Sequence, residues 1–145
     1  MLPRVEHFVT VPVTVETAFQ VFLDLDRLLH RGIYEEAAWI QGTPWQVGSH
    51  VRYVIVNPVQ ATVSAVVTSI NPPHSLSLLN HGLGVTVEQH VYFSRDVKGG
   101  TRVRVTMDLV GKAFDLSDSS LADAATFILK DGLDSVVESC RRLAS

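Results

Sequence analysis

Residues Ser117–Leu143, SDSSLADAATFILKDGLDSVVESCRRL, decide how this chain folds. Apolar residues recur there at helical spacing: Leu121, Ala125, Ile128, Gly132, Val136 and Cys140. Leu129, Leu133 and Val137 widen the stripe, while Asp118, Asp123, Lys130, Asp134, Glu138 and Arg141 fall mostly on the other side. That is the period of an amphipathic helix with one face to bury. At roughly 1.5 Å per residue it runs on the order of 40 Å, the width of a domain. What precedes it alternates as strands, so the helix is expected to cover a sheet.

Working back from the helix, Thr101 to Val110 alternates as a strand that Gly111 is expected to stop. Lys98-Gly99-Gly100 makes a tight turn to the strand Val85 to Arg95, and Gly82-Leu83-Gly84 turns to Ser75–His81. Asn71-Pro72-Pro73 is a corner, because proline sets φ and denies a ladder hydrogen bond. Before it lie strands over Val59–Ile70 and Ser49–Val56, joined at Asn57-Pro58, and a strand over Glu36–Ile40 followed by the turns at Gly42-Thr43-Pro44 and Gly48. At the start, Arg4 to Val11 alternates, with Val5, His7, Val9 and Val11 on one face. Pro12 ends that strand, and Thr14 caps a helix over Val15–Leu25 with Ala18, Phe19, Phe22 and Leu25 as its apolar side. Asp26 starts a second short helix through about His30. The order is strand, two short helices, six strands, long helix, which is α+β with one curved antiparallel sheet.

Composition narrows the function. One domain over 1–145 is expected, with 46% hydrophobic and 19% charged residues. A net charge of −3 and the lack of a Lys/Arg cluster beyond Arg141-Arg142 argue against nucleic acid as a partner. The single cysteine, Cys140, makes no internal disulfide and sits on the buried stripe, which suits a reducing compartment. Arg4, Glu6 and His7 interrupt any apolar leader, so no signal peptide is expected and the cytoplasm is the expected location. From Tyr53 to Val87 there is no Asp, Glu, Lys or Arg, but the Asn-Pro and Asn-His-Gly breaks exclude a membrane span, and no membrane insertion is expected.

The six histidines show no metal spacing, and no phosphate-cradling loop or nucleophile elbow is present, so neither a metal nor a cofactor is expected. Val85, Val87, Val91 and Phe93 share a face, as do Val103, Val105, Met107 and Leu109, and both faces are expected to look at the long helix. Glu88, His90, Tyr92, Arg102, Arg104 and Asp108 form a solvated opposite face, an ordinary charged ladder more than a catalytic group. Gln89 is the exception, a polar residue with inward parity that needs partners or a polar ligand. Ala61, Val63, Ala65 and Val67 share the inward face of their strand. Small residues there, with a glycine at inward helix position 132, leave space between sheet and helix. His81 sits near a strand end, where a turn residue and a pocket edge are both open readings.

These features together resemble a known superfamily. Val11-Pro12, then Glu16-Thr17-Ala18-Phe19-Gln20-Val21-Phe22 and Asp26, then Gln46-Val47-Gly48, then Ile70-Asn71-Pro72-Pro73-His74-Ser75-Leu76, then Gly99-Gly100-Thr101-Arg102-Val103 and the final helix are similar to the helix-grip (Bet v 1-like, START-like or SRPBCC) proteins. Within them the chain looks like the bacterial polyketide cyclase/dehydrase and lipid-transport group. The resemblance covers nearly the whole chain and rests on structural turns, so it speaks to fold more than activity. It implies a seven-stranded antiparallel sheet wrapped around the long helix, and an apolar cavity that takes lipids, polyketides or aromatic compounds.

The leading expectation is therefore binding of a hydrophobic small molecule by a monomer or homodimer. Its cavity wall is expected to include Trp39, Tyr53, Ala65, Gln89, Met107, Phe114, Phe127, Ile128 and Gly132, an apolar lining with few polar groups. An alternative is a cyclase or dehydrase in which Tyr53 or His81 moves a proton and Gln89 holds a carbonyl oxygen, which requires the three to converge. A third is a protein-interaction module seeded by Trp45 as an exposed apolar patch.

Overall fold

The computed structural model describes the backbone of residues 4–112 and 119–145 and the side chains of 4–110 and 122–145. Strand β1 (Arg4–Val11) is followed by helix α1 (Val15–Leu23) and a 3-10 helix (Leu25–Leu28). Six strands come next, β2 (Tyr34–Gln41), β3 (His50–Ile55), β4 (Ala61–Asn71), β5 (Ser75–Gly82), β6 (Val85–Arg95) and β7 (Thr101–Lys112), and then helix α2 (Ser119–Ala144). The strands form one seven-stranded sheet in the order β1-β7-β6-β5-β4-β3-β2, antiparallel throughout. Successive hairpins from β2 to β7 build most of it, and β1 is added beside β7 from the other end of the chain.

Several boundaries differ from the local reading: α1 ends at Leu23 rather than Leu25, β4 starts at Ala61 rather than Val59, and three more have a visible cause. Gly111 does not stop β7, because it pairs with Thr86 and the next residue pairs with Val85, so β6 carries the strand to its end. Strand β2 starts earlier than Glu36, since Tyr34 already pairs with Ile55. The second short helix is capped by Asp24, whose carboxylate accepts from the Asp26 N–H at 3.1 Å, one turn position ahead of the expected start. Thr14 caps α1 as expected, accepting from the Thr17 N–H at 3.2 Å.

Helix α2 packs on the concave face of the sheet. Leu129, Leu133, Val136 and Cys140 are buried against Leu76, Val91, Val103 and Val105, and each large apolar side chain so buried contributes on the order of 1.5–3 kcal/mol. At one end, Phe19 and Phe22 of α1 meet Phe93 edge-on, with centroids 5.2 and 5.8 Å apart. Burial raises the Cys140 thiol pKa, as suits an inert core cysteine. On the convex face, Arg4 pairs with Asp108 and Arg104 with Glu6. There Ser77 Oγ, His90 and Glu88 form a hydrogen-bonded chain, 2.7 Å at each link. It joins the cross-strand pair Ser77 and His90 to Glu88, two residues away on the same strand, on the face turned away from α2, and is a ladder contact.

Gly100 is required where it stands. Its φ of +80° is left-handed, and a Cβ there would collide with the Val11 carbonyl oxygen. This close approach lets the β6–β7 turn seat against the end of β1, where the Thr101 hydroxyl donates to the Val13 carbonyl at 2.8 Å.

Candidate functional site

The other end of the sheet–helix interface is not filled. A cavity of about 240 Å³ lies between the sheet and α2. Its floor is the inward face of the sheet, to which all seven strands contribute, with Val5, Tyr34, Tyr53, Val63, Leu78, Val87, Met107 and Leu109 in the wall. The α2 side is formed by Ala125, Ile128, Leu129, Gly132 and Leu133. A Cβ placed on Gly132 would meet nothing within 4 Å, so the glycine borders open space rather than a tight contact.

Polar groups enter the wall at two places. Asn80 of β5 donates through Nδ2 to Gln89 Oε1 at 3.2 Å and to the Val87 carbonyl at 3.5 Å. The inward Gln89 is thus paired and also faces the cavity. The second place holds Arg27, Tyr34 and Tyr53. The two rings meet edge-on at 5.6 Å. Burial pushes the Tyr53 phenol up to about 12 and raises that of Tyr34 further, so both are neutral hydroxyls near pH 7. Desolvation lowers the Arg27 guanidinium to about 10, which leaves it charged at that pH.

No family model matches the chain, and no curated protein does either. Solved structures do. The crystal structure of Ara h 8.0201 superposes with a TM-score of 0.79 at 11% identity, over 98% of this chain and 99% of that one. The chain has the Bet v 1-like, START-like helix-grip fold. A START superfamily protein from Mycobacterium smegmatis matches at 0.74 and 14% identity over 97% and 98% of the two chains. A protein from Chromobacterium violaceum gives 0.69 and 10% over 95% and 97%.

Within this helix-grip frame, Tyr53, Gln89, Met107, Ile128 and Gly132 are brought together around the cavity. Three other expected wall residues are not. Trp39 packs edge-on against Trp45, centroids 5.0 Å apart, and it is Trp45 that borders the cavity. Trp45 has a φ of 66°, and its indole N–H donates to the Leu23 carbonyl at 2.9 Å, which folds the β2–β3 connection back over the wall. Ala65 is fully buried beneath Leu25 and Leu28 of the 3-10 helix, which cover it from the void. Phe127 is 48% exposed, because it shares the solvent side of α2 with Lys130 and Asp134. Phe114 lies outside the described residues.

The proposed catalytic trio does not converge. Tyr53 and Gln89 point to the concave face, whereas His81 is exposed and its Nδ1 lies 3.0 Å from Thr86 Oγ1. Trp45 is half-buried and hydrogen-bonded, so it does not seed an exposed patch. Arg27, Tyr34 and Asn80 were not among the expected wall residues. The inward parity of Asn80, two residues after Leu78, was the one available signal. Among the described residues no group of His, Cys, Asp and Glu is arranged to hold a metal, and no helix is long and apolar enough to cross a membrane.

Proposed function

We propose that this protein binds a hydrophobic small molecule in the cavity between the sheet and α2. The observation that carries the reading is the void beneath Gly132, about 240 Å³ with a mostly apolar wall. Ligand sites occupy roughly 300–1,000 Å³, and an apolar cavity of about 150 Å³ already takes benzene. The volume here suits a compact aromatic or short aliphatic molecule. A helix-interior glycine costs about 1 kcal/mol against alanine, a cost that makes sense where a side chain would occupy the ligand's space. Tyr53, Gln89, Met107, Ile128 and Gly132 are the proposed contacts, and the helix-grip fold shared with the START superfamily protein supports the same reading.

Native mass spectrometry of the purified protein, with denaturing extraction of bound material, tests it. A co-purifying apolar molecule at defined stoichiometry is expected, or saturable binding of the neutral fluorophore aminoanthracene if the cavity empties on purification. Absence of both results would mean that the void is not a binding site. The cyclase or dehydrase reading is weaker, since it rested on a convergence of Tyr53, His81 and Gln89.

A further inference from the structure

We propose that the ligand carries a carboxylate, seated against Arg27 and the hydroxyls of Tyr34 and Tyr53, with its apolar body beneath α2. The inference rests on the cavity being a binding site and names the chemistry of what it binds.

Arg27 is the one charged residue among the described residues of the cavity wall. Its side chain donates from Nε to the Val21 carbonyl (3.3 Å), from Nη2 to the Phe22 carbonyl (3.1 Å), and from Nη1 to the Gly132 carbonyl (3.2 Å) and the Ser135 hydroxyl (2.6 Å). A guanidinium has five N–H donors, so one on Nη2 is left without a described partner. All four acceptors are neutral. The Val21 and Phe22 carbonyls close the last turn of α1, where the helix dipole supplies about half a negative charge, and the guanidinium carbon lies 4.7 Å from the centre of the Phe22 ring, but none of these groups carries a full counter-charge.

The nearby carboxylates turn to Arg31 rather than Arg27, with Asp131 Oδ2 left without a partner among the described residues. Arg31 takes Asp131 at 2.8 Å and Glu138 at 2.6 Å, and no described carboxylate forms an ion pair with Arg27. A desolvated cation without a counter-ion is costly, and Arg27 stays protonated well above neutral pH. Beside it, neither the Tyr34 nor the Tyr53 hydroxyl has a hydrogen-bond partner among the described residues, although both residues border the cavity. Open donors on three residues of one cavity wall, one of them charged, match the acceptor-only, negatively charged end of an amphiphilic acid. Asn80 and Gln89, on the strands beyond, are left to contact a neutral polar group of the same molecule.

Two matched pairs test this: decanoate with decanol, and naphthoate with naphthalenemethanol. Members of a pair share a body and differ in the charge of the head, and their affinities are read by displacement of aminoanthracene. In at least one pair the acid is expected to bind about tenfold or more tightly than the alcohol, the scale of one hydrogen bond to a charged group. Arg27→Gln is expected to bring that preference to within about twofold. Should Arg27→Gln fail to fold, the wild-type preference together with its reduction by about threefold or more in Tyr34→Phe/Tyr53→Phe decides the matter. Alcohols that bind as tightly as their acids would overturn the carboxylate assignment and leave the cavity reading standing. No binding by any probe, the fluorophore included, would overturn both.

Discussion

Arg27 donates to the carbonyl of Gly132 at 3.2 Å across 105 residues of sequence, and so ties the 3-10 helix to the middle of α2. The same α2 residue that accepts this bond leaves its Cα face open to the cavity. The helix is therefore held at a fixed distance from the sheet at the point where no side chain fills the gap.

Gly132→Ala is expected to stabilise the protein by about 0.5–1 kcal/mol, because alanine is the better helix former and its methyl enters empty space. Gly132→Phe is expected to fold and to lower aminoanthracene affinity about tenfold or more by occupying that space. Urea denaturation and fluorescence titration read the two effects. A destabilising alanine, or a phenylalanine that binds the dye like wild type, would mean that the void is not where Gly132 sits.

Trp45 borders the cavity and Trp39 does not, and the chain has two tryptophans. Bound ligand is therefore expected to shift or quench emission in wild type and in Trp39→Phe, and to change it little in Trp45→Phe. Loss of the Trp45 hydrogen bond to Leu23 should also cost about 0.5–1.5 kcal/mol. A ligand response that survives in Trp45→Phe would contradict the assignment.

Alkaline pH tests the buried phenols. Burial raises the pKa of Tyr53 to about 12 and that of Tyr34 as well, against an ordinary value near 10. Stabilisation from the neutral phenols is complete below about pH 10 and is lost as pH rises through the folded values. Arg27 acts in the opposite sense, since desolvation lowers its pKa and its penalty eases as pH rises. Two phenols outweigh one guanidinium, the native state holds more protons, and stability should fall between about pH 10 and 12. Urea midpoints measured across that range are expected to fall less steeply in Tyr53→Phe.

Arg31→Ala should be far more harmful than Arg4→Ala. Asp131 is 14% exposed and its Oδ2 has no hydrogen-bond partner among the described residues, so Arg31 is its support. Removing Arg31 is expected to cost about 1–2 kcal/mol, the penalty of a stranded buried acceptor. The Arg4–Asp108 pair is exposed and its loss should be undetectable in the same denaturation assay. Equal effects would place Asp131 in contact with solvent.

Gly100→Ala is expected to destabilise by about 1–3 kcal/mol through its left-handed φ and its collision with the Val11 carbonyl. Hydrogen exchange should localise the loss to the β1 end and the β6–β7 turn. An unchanged midpoint would mean that the turn has room to move.

The sequence by itself determined the element order, the α+β class and the inward face of most strands. Strand β6, Val85–Arg95, is legible to the residue, and so is the buried stripe of α2, because two-residue and 3.6-residue periods are properties of local backbone geometry. Gly132 and Gln89 were legible as anomalies within those periods. Tertiary structure alone decided which buried positions face a void. Ala65 and Tyr53 share the inner face of the sheet, yet the 3-10 helix covers one and the cavity borders the other. Trp45, rather than Trp39, entered the wall through a left-handed turn residue and a hydrogen bond to Leu23. Arg27 lies in a short helix whose local pattern points to solvent, and only packing against both α1 and α2 gives it four neutral acceptors and no counter-ion. Periodicity reports the face a residue takes on its own element. What that face meets depends on the curvature of the sheet and the spacing of partners far apart in the chain.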